Sequence, residues 1–253
     1  MIKTILNGCN GKMGRVISGE ASKMPDIEIT AGVDKNTAEN PFGYPVFERI
    51  DQFSGKADVI IDFSRPESVS ALVPYAVKNN TALLVATTGL NEEHTGLLEQ
   101  AAETIPVFNS ANMSLGVNLV KEVCGRVASV LSDSFDIEVT EFHHNQKVDA
   151  PSGTALMIAK AIEKEITEGR DFVYGRTPQS GKRKNTEIGI HAIRGGTMPG
   201  EHSILFAGPD EIIEIRHLAL SRRIFALGAL RAARFIVEQR PGFYNMDSIL
   251  TND

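Results

Sequence analysis

Three glycines spaced three apart, Gly8, Gly11 and Gly14, sit between an apolar run, Ile2–Leu6, and a segment with Met13, Val16, Ile17, Ala21 and Met24 at helical spacing. The helical pattern stops at Pro25, and a second apolar run, Ile27–Val33, ends on Asp34-Lys35. Strand, glycine loop, helix, strand and carboxylate, in that order, make the opening unit of a Rossmann-type dinucleotide-binding sheet. Gly8 permits a tight turn, Gly11 lets backbone approach a pyrophosphate, and Gly14 allows helix and strand to pack closely. The N–H groups at the helix start then favour the anion. Asp34 falls about 20 residues beyond Gly14, where a ribose-binding carboxylate is expected. Asn10 makes the spacing G-x-x-G-x-x-G, a variant of the usual fingerprint. An ordinary structural turn is the competing reading.

The alternation continues. Ala57–Phe63, Ala82–Ala86 and Pro106–Phe108 read as strands, with helices over Val69–Val77, Glu92–Glu103 and Val117–Leu131. Continuous apolar strands of this kind suit a parallel sheet buried on both faces. Two of them end in small polar turns, Thr87-Thr88-Gly89 and Ser110-Ala111-Asn112-Met113-Ser114, and ligands gather at such strand ends in open α/β sheets.

Beyond residue 131 the pattern changes. Phe135–Phe142 alternates, leading into Glu141–Ala155, where two histidines, a lysine, an aspartate and a Ser-Gly-Thr turn crowd ahead of a helix over Thr154–Glu165. Adjacent His143 and His144 in a strand face opposite sides. A solvated loop is the plain alternative, but this density of titratable groups at a helix start reads as a site. Glu168–Asn185 reads as polar and irregular, with Lys182-Arg183-Lys184 a solvated basic loop. Glu187–Ile193, His202–Ala207 and Ile212–Leu218, separated by Gly/Pro turns, predict a mainly antiparallel sheet. A final helix from Ser221 to Val237 is predicted to pack back on the first domain. The fold expected is therefore α/β: a Rossmann-like parallel-sheet domain, residues 1–114 plus 222–253, with an inserted α+β domain, residues 115–221.

A net charge of −6 argues against general nucleic-acid binding, and no apolar run approaches the length of a membrane span. Two cysteines, Cys9 and Cys124, offer neither a disulfide framework nor a Cys-based metal site, so a cytoplasmic protein is expected. No histidine pair has ligand spacing on a helix, so no metal is expected. Fold alone leaves open another two-domain NAD(P) dehydrogenase, acting on an amino acid or semialdehyde, or a non-catalytic dinucleotide sensor. A sensor needs no proton donor, which the histidine stretch offers.

The segments Gly8–Arg15, Asp62–Glu67, Ala86–Gly89, Ser110–Asn118, Glu141–Ala155 and Gly200–His202, with Ser221-Arg222, resemble the dihydrodipicolinate reductase family along nearly the whole chain. The His-His-x-x-Lys-x-Asp-x-Pro-Ser-Gly-Thr element is far more specific than the glycine loop. The resemblance implies reduction of (4S)-4-hydroxy-tetrahydrodipicolinate to tetrahydrodipicolinate by NADH or NADPH, with loss of water, in a homotetramer. It implies a catalytic pair, His143 as proton donor with Lys147. Substrate binding falls to His144, Gly153 and Thr154. Cofactor contacts fall to Gly8, Cys9, Asn10, Gly11, Lys12, Met13, Asp34, Ala86, Thr87, Thr88, Ser110, Ala111, Asn112 and Met113. Asp34 suits the free 2′-hydroxyl of NADH, while Lys12 and Lys35 could offset its repulsion of a 2′-phosphate, so both cofactors are expected to work. The chain departs from the family pattern in Ala86, where many members have Gly, and in Asn145-Gln146, which replace a more basic pair.

Overall fold

Seven parallel strands form the first sheet of the computed structural model, which describes residues 1–37 and 41–251. The strands are β1 (Ile2–Asn7), β2 (Ile27–Val33), β3 (Val46–Phe47), β4 (Val59–Asp62), β5 (Ala82–Val85), β6 (Pro106–Asn109) and, near the end of the chain, β12 (Gly242–Tyr244). Their order is β12-β6-β5-β4-β1-β2-β3, so the winding reverses between β1 and β4. In doubly wound sheets that reversal opens a crevice at the strands' carboxyl ends. Helices α1 (Lys12–Ala21), α2 (Val69–Asn79) and α3 (Glu92–Ala102) connect these strands. Every residue of β4 and β5 is buried, as continuous Val-Ile-Ile and Ala-Leu-Leu-Val runs require when both faces are covered. Helix α6 (Arg223–Ile236) packs against α1, β4, β5 and β6 through a stripe of small residues, Ala226, Ala229 and Ala233 among them.

The chain divides into two compact units, Met1–Ser114 with Arg222–Asp253, and Leu115–Ser221. The second carries a five-stranded sheet in the order β11-β10-β7-β9-β8. Its strands are β7 (Asp136–His143), β8 (Asp171–Tyr174), β9 (Glu187–Arg194), β10 (Gly200–Ala207) and β11 (Ile212–Ala219). Helices α4 (Leu115–Leu131) and α5 (Gly153–Lys164) pack on each other and on the sheet. Their buried faces, Cys124 and Ala128 with Ala155, Ile158 and Ile162, meet Ile137, Val139, Ile188, Ile190, Ile204 and Phe206.

Three expectations need correction. The second sheet is mixed rather than mainly antiparallel: β10 runs antiparallel to β7 and β11, but β9 runs parallel to both β7 and β8. Neither parallel pair is joined by a short turn: α5 and β8 lie between β7 and β9, and residues 175–186 lie between β8 and β9, connections long enough to return the chain for parallel pairing. Strand β8 lies within the supposedly irregular 168–185 stretch, where a short edge strand leaves little periodic signal. Arg183 is not a solvated basic residue. It is tied to Asp136 at 2.5 Å and Glu138 at 2.9 Å, and it donates to the carbonyls of Ile137 and Glu187. The tail after α6 adds β12 to the first sheet beside β6 and a short helix α7 (Met246–Leu250).

Candidate active site

The first unit builds its crevice from backbone. Gly8 follows β1 with φ +78°, and a Cβ there would lie 2.5 Å from the carbonyl oxygen of Phe63, just beyond β4. A Cβ on Gly14 would lie 2.2 Å from the Gly8 carbonyl oxygen, so only glycine lets the first turn of α1 nest on the loop. Helix α1 starts at Lys12 with no side-chain cap on its leading N–H groups, the open arrangement that suits a phosphate. Asp34 accepts the Asn10 N–H at 2.9 Å and the Asn36 N–H at 2.9 Å, so the acidic residue and the glycine loop are one assembly. A cleft of about 910 Å³ is lined by Gly8, Asn10, Gly11, Asp34, Lys35 and Arg65 among others. A dinucleotide fits this set in kind: backbone donors, a ribose-height carboxylate and an apolar wall.

Below the crevice lies a group that sequence reading passed over. Asp62, the last residue of β4, is fully buried. It accepts from Ser64 Oγ at 2.6 Å, Asn7 Nδ2 at 2.7 Å and Thr87 Oγ1 at 2.7 Å. Thr87 Oγ1 in turn accepts the Ser64 N–H at 3.0 Å. The strand ends of β1, β4 and β5 are thus tied to one carboxyl. Burial pushes its pKa up, against the opposing pull of these neutral donors. The sequence cue was an acidic residue closing a fully apolar strand.

The remaining first-unit candidates also fall at strand ends. Thr87 is buried in the Asp62 network, Thr88 is exposed, and Ala86 is buried with its N–H on the Asp62 carbonyl. The Cys9 side chain points into packing against Gly32, and burial with the nearby Asp34 charge raises its thiol to about 11, leaving only backbone for a ligand. Lys12 and Met13 open α1, with Lys12 exposed. Ser110, Ala111, Asn112 and Met113 form the turn after β6, where Ser110 Oγ donates to the Asn112 carbonyl and Asn112 Oδ1 accepts the Ser114 N–H. Met113 is buried, and α6 approaches it so closely that a Cβ on Gly228 would stand 1.7 Å from the Met113 carbonyl oxygen.

In the second unit the alternation of β7 sends Ile137, Val139, Glu141 and His143 to the same buried side. Two polar residues therefore occupy core parity at the strand's end. Glu141 is fully buried, and both its oxygens are engaged. His143 Nδ1 lies 2.5 Å from Oε2, Arg194 donates NH1 to Oε2 at 2.7 Å and NH2 to Oε1 at 2.8 Å, and the Ser152 N–H reaches Oε1 at 2.9 Å. Burial pushes the Glu141 carboxyl up, but these bonds outweigh it and hold the group at about 2. Neither Glu141 nor Arg194 stood out in the sequence; Glu141 could have, as a charge at core parity.

His143 packs edge to face with His202, with ring centroids 5.2 Å apart. Burial, then the neighbouring His143 charge, lowers His202 to about 3, so His202 is neutral. Ser152 Oγ shares a hydrogen with His202 Nε2 at 3.0 Å and accepts the Ala155 N–H at 3.1 Å as the N-cap of α5. Gly153 and Thr154 open that helix beside the cap, Gly153 exposed and Thr154 half-buried. Lys147 pairs with Asp149 at 2.8 Å; burial raises the Asp149 carboxyl, but Lys147 brings the net shift below the usual range. His144 donates its N–H to the Met198 carbonyl and is half-buried. The structure therefore gathers His143, Lys147, Gly153 and Thr154 around the β7 end and the α5 start, with Ser152, Arg194 and His202 added. Among the described residues no cluster of metal-ligating side chains occurs.

A doubly wound dinucleotide sheet, together with a unit holding a carboxylate-anchored histidine beside a lysine and a helix N-terminus, defines a two-domain nicotinamide-dependent oxidoreductase. Family profiles described as dihydrodipicolinate reductase, N-terminus and C-terminus, match residues 2–113 and 116–250. The chain is 50% identical over 250 residues to the 4-hydroxy-tetrahydrodipicolinate reductase of Caldanaerobacter subterraneus subsp. tengcongensis, covering 99% of this chain and 98% of that one. It is 47% identical to that of Clostridium tetani, covering 100% and 98%. A dipicolinate-bound dihydrodipicolinate reductase from Paenisporosarcina sp. TG-14 shares the fold, with a TM-score of 0.83 at 24% identity over 98% of this chain and 99% of that one. The chain belongs to the dihydrodipicolinate reductase family.

Proposed function

We propose that this chain reduces 4-hydroxy-tetrahydrodipicolinate to tetrahydrodipicolinate, in the diaminopimelate route to lysine, with His143 as proton donor and Lys147 as its catalytic partner. The observation that carries the assignment is the anchored imidazole. Nδ1 is held by Glu141, while Nε2 makes no hydrogen bond among the described residues. A bound nicotinamide supplies the hydride. Hydride addition to a conjugated imine leaves electron density on the ring, and a histidine beside it can deliver the matching proton. Lys147 brings a point charge toward a dianionic substrate. Gly153 and Thr154 bring N–H donors and the positive end of α5 to a carboxylate. His144 completes the substrate contacts, and Asp149 steadies Lys147. Dipicolinate in the Paenisporosarcina structure supports a cyclic dicarboxylate as ligand.

The first unit binds the cofactor through Gly8–Met13, Asp34, Lys35, Ala86–Thr88 and Ser110–Met113. NADH is favoured, because Asp34 accepts from a free ribose hydroxyl and repels a 2′-phosphate. Lys35 and Lys12, both exposed, keep NADPH usable. We infer a homotetramer built through the second sheet, a reading that the exposed Ile212 and Leu218 of edge strand β11 support. Two free buried cysteines suit the reducing cytoplasm.

A coupled assay with the preceding synthase, following NADH absorbance, tests the reaction. His143→Gln and Lys147→Ala each lower kcat by about a hundredfold or more, with NADH affinity unchanged by titration. Near-normal turnover in both refutes the site. A kcat/KM strongly favouring NADPH contradicts the role of Asp34, and light scattering showing a monomer removes the tetramer.

A further inference from the structure

We propose that Glu141, clamped by Arg194, is the positioning residue that makes His143 an acid through Nε2 alone. The inference rests on the assignment of His143 as proton donor and extends it to residues that assignment leaves without a role.

Each ring nitrogen of a histidine can carry the transferable proton, and the bond made by the other decides which one does. Here Nδ1 stands 2.5 Å from Glu141 Oε2, so Nδ1 keeps its hydrogen in both protonation states. The charged ring, paired with this carboxylate, gives up the Nε2 proton. It relaxes to the Nδ1–H neutral tautomer, which already satisfies Glu141. No ring flip intervenes in the cycle. Reprotonation at Nε2 from solvent restores the acid.

The clamp explains why the carboxylate stays in place. Arg194 NH1 and NH2 bind its two oxygens as a fork, and Arg194 NH2 also donates to the Asp149 carbonyl at 2.5 Å. The Ser152 N–H closes the remaining direction on Oε1. Four donors thus converge on one carboxylate, and an amide in its place cannot serve them. If its NH₂ replaces Oε2 it faces His143 and Arg194; if it replaces Oε1 it faces Arg194 and Ser152.

The groups packed around the ring agree with Nε2 as the active edge. His202, from β10, is neutral and puts no competing charge on His143. Lys147 is engaged by Asp149 rather than by Glu141. Gly200 opens β10 next to the ring, and a Cβ there would come within 2.9 Å of Nε2. A side chain at 200 would crowd that nitrogen.

The test uses the full-length enzyme labelled with ¹⁵N-histidine. The chain has six histidines, and the His143 ring signals are assigned by their loss in His143→Gln. At high pH, wild-type His143 is expected as the Nδ1–H tautomer. In Glu141→Gln that preference is lost, and kcat falls about tenfold to a hundredfold while NADH affinity holds. Arg194→Lys, which keeps the charge but not the fork, retains the tautomer and loses kcat several-fold. It serves as the reporter if Glu141→Gln does not fold. An Nε2–H tautomer in the wild type, or wild-type kcat in both Glu141→Gln and Arg194→Lys, overturns the proposal. If His143→Gln keeps full turnover, the donor assignment itself fails, and that outcome is separate from the other two.

Discussion

Replacing Asp62 with Asn and with Ala separates a carboxylate needed for its shape from one needed for its charge. Asp62 is fully buried and accepts three bonds of 2.6 to 2.7 Å from neutral groups. In Asp62→Asn the carbonyl oxygen can keep Asn7 and Ser64. The new NH₂ then donates to Thr87 Oγ1, which already accepts from the Ser64 N–H and has a second lone pair. Only the Thr87 hydroxyl hydrogen loses its partner, at a cost of about 1 kcal/mol. Removal of a desolvated charge offsets part of that. Asp62→Ala instead strands the Thr87 hydroxyl and one Asn7 N–H at roughly 1–3 kcal/mol each, while Ser64 can turn to Ser68 Oγ at 2.8 Å, so a loss above about 2 kcal/mol is expected.

The sign with pH is fixed by the raised pKa. The native state holds its proton to higher pH than the unfolded chain, so this residue's contribution declines as pH rises from 3.8 through the folded-state value. The stability difference between wild type and Asp62→Asn therefore shifts toward the variant over that window and is flat above it. Urea unfolding of the three proteins across pH 4 to 8, with NADH titrations alongside, measures both effects. Equal losses for Asn and Ala, or a pH-independent difference between wild type and Asn, would refute the reasoning.

Gly228→Ala drives a methyl into the Met113 carbonyl, a backbone group that cannot rotate away. We expect a stability loss of about 2 kcal/mol or more and weaker NADH binding, read by thermal unfolding and titration. Cys9 and Cys124 are buried, with thiols pushed to about 11 and about 12 by burial. Both should resist thiol reagents at pH 8 in the native protein and react fully in denaturant, as counted by mass spectrometry. Asp34→Asn is expected to raise the NADPH:NADH ratio of kcat/KM, and its single amide oxygen keeps only one of the Asn10 and Asn36 N–H groups, which bind different carboxylate oxygens in the wild type.

The first sheet was legible because its signals are local. Ile27–Val33 is apolar, bounded by Pro25 and Asp34, and occupies those residues in the fold. The Gly14 requirement follows from backbone contacts within the loop itself, whereas that of Gly8 adds the Phe63 carbonyl beyond β4. The second sheet was harder, since nothing in Glu187–Arg194 announces that it lies beside β7 in parallel rather than beside β10. That choice is made by the two long returns, α5 between β7 and β8 and residues 175–186 between β8 and β9. The tail strand β12 is three residues long and takes its structure from β6. At the site, His143 and Lys147 were visible because they are dense in sequence. Arg194 was not, because it reaches Glu141 from a different strand. Asp62 carried a cue only in retrospect: hydrophobic patterning marks where side chains are buried, and says little about which polar group the burial serves.

The return of α6 and β12 to the first sheet has a consequence for how the chain is made. Leu115–Ser221 is one uninterrupted segment and can close its core as soon as it has left the ribosome, whereas the first sheet lacks α6 and its edge strand until the whole insert has been made. Joining the two parts of the first unit across a flexible loop of about a hundred residues would cost roughly 4 kcal/mol in chain entropy. An already folded insert shortens the disordered span that must be closed. The apolar strands of the nascent first sheet, β4 and β5 above all, must meanwhile wait without their α6 cover. That interval, rather than the finished fold, is where this protein is most exposed to aggregation.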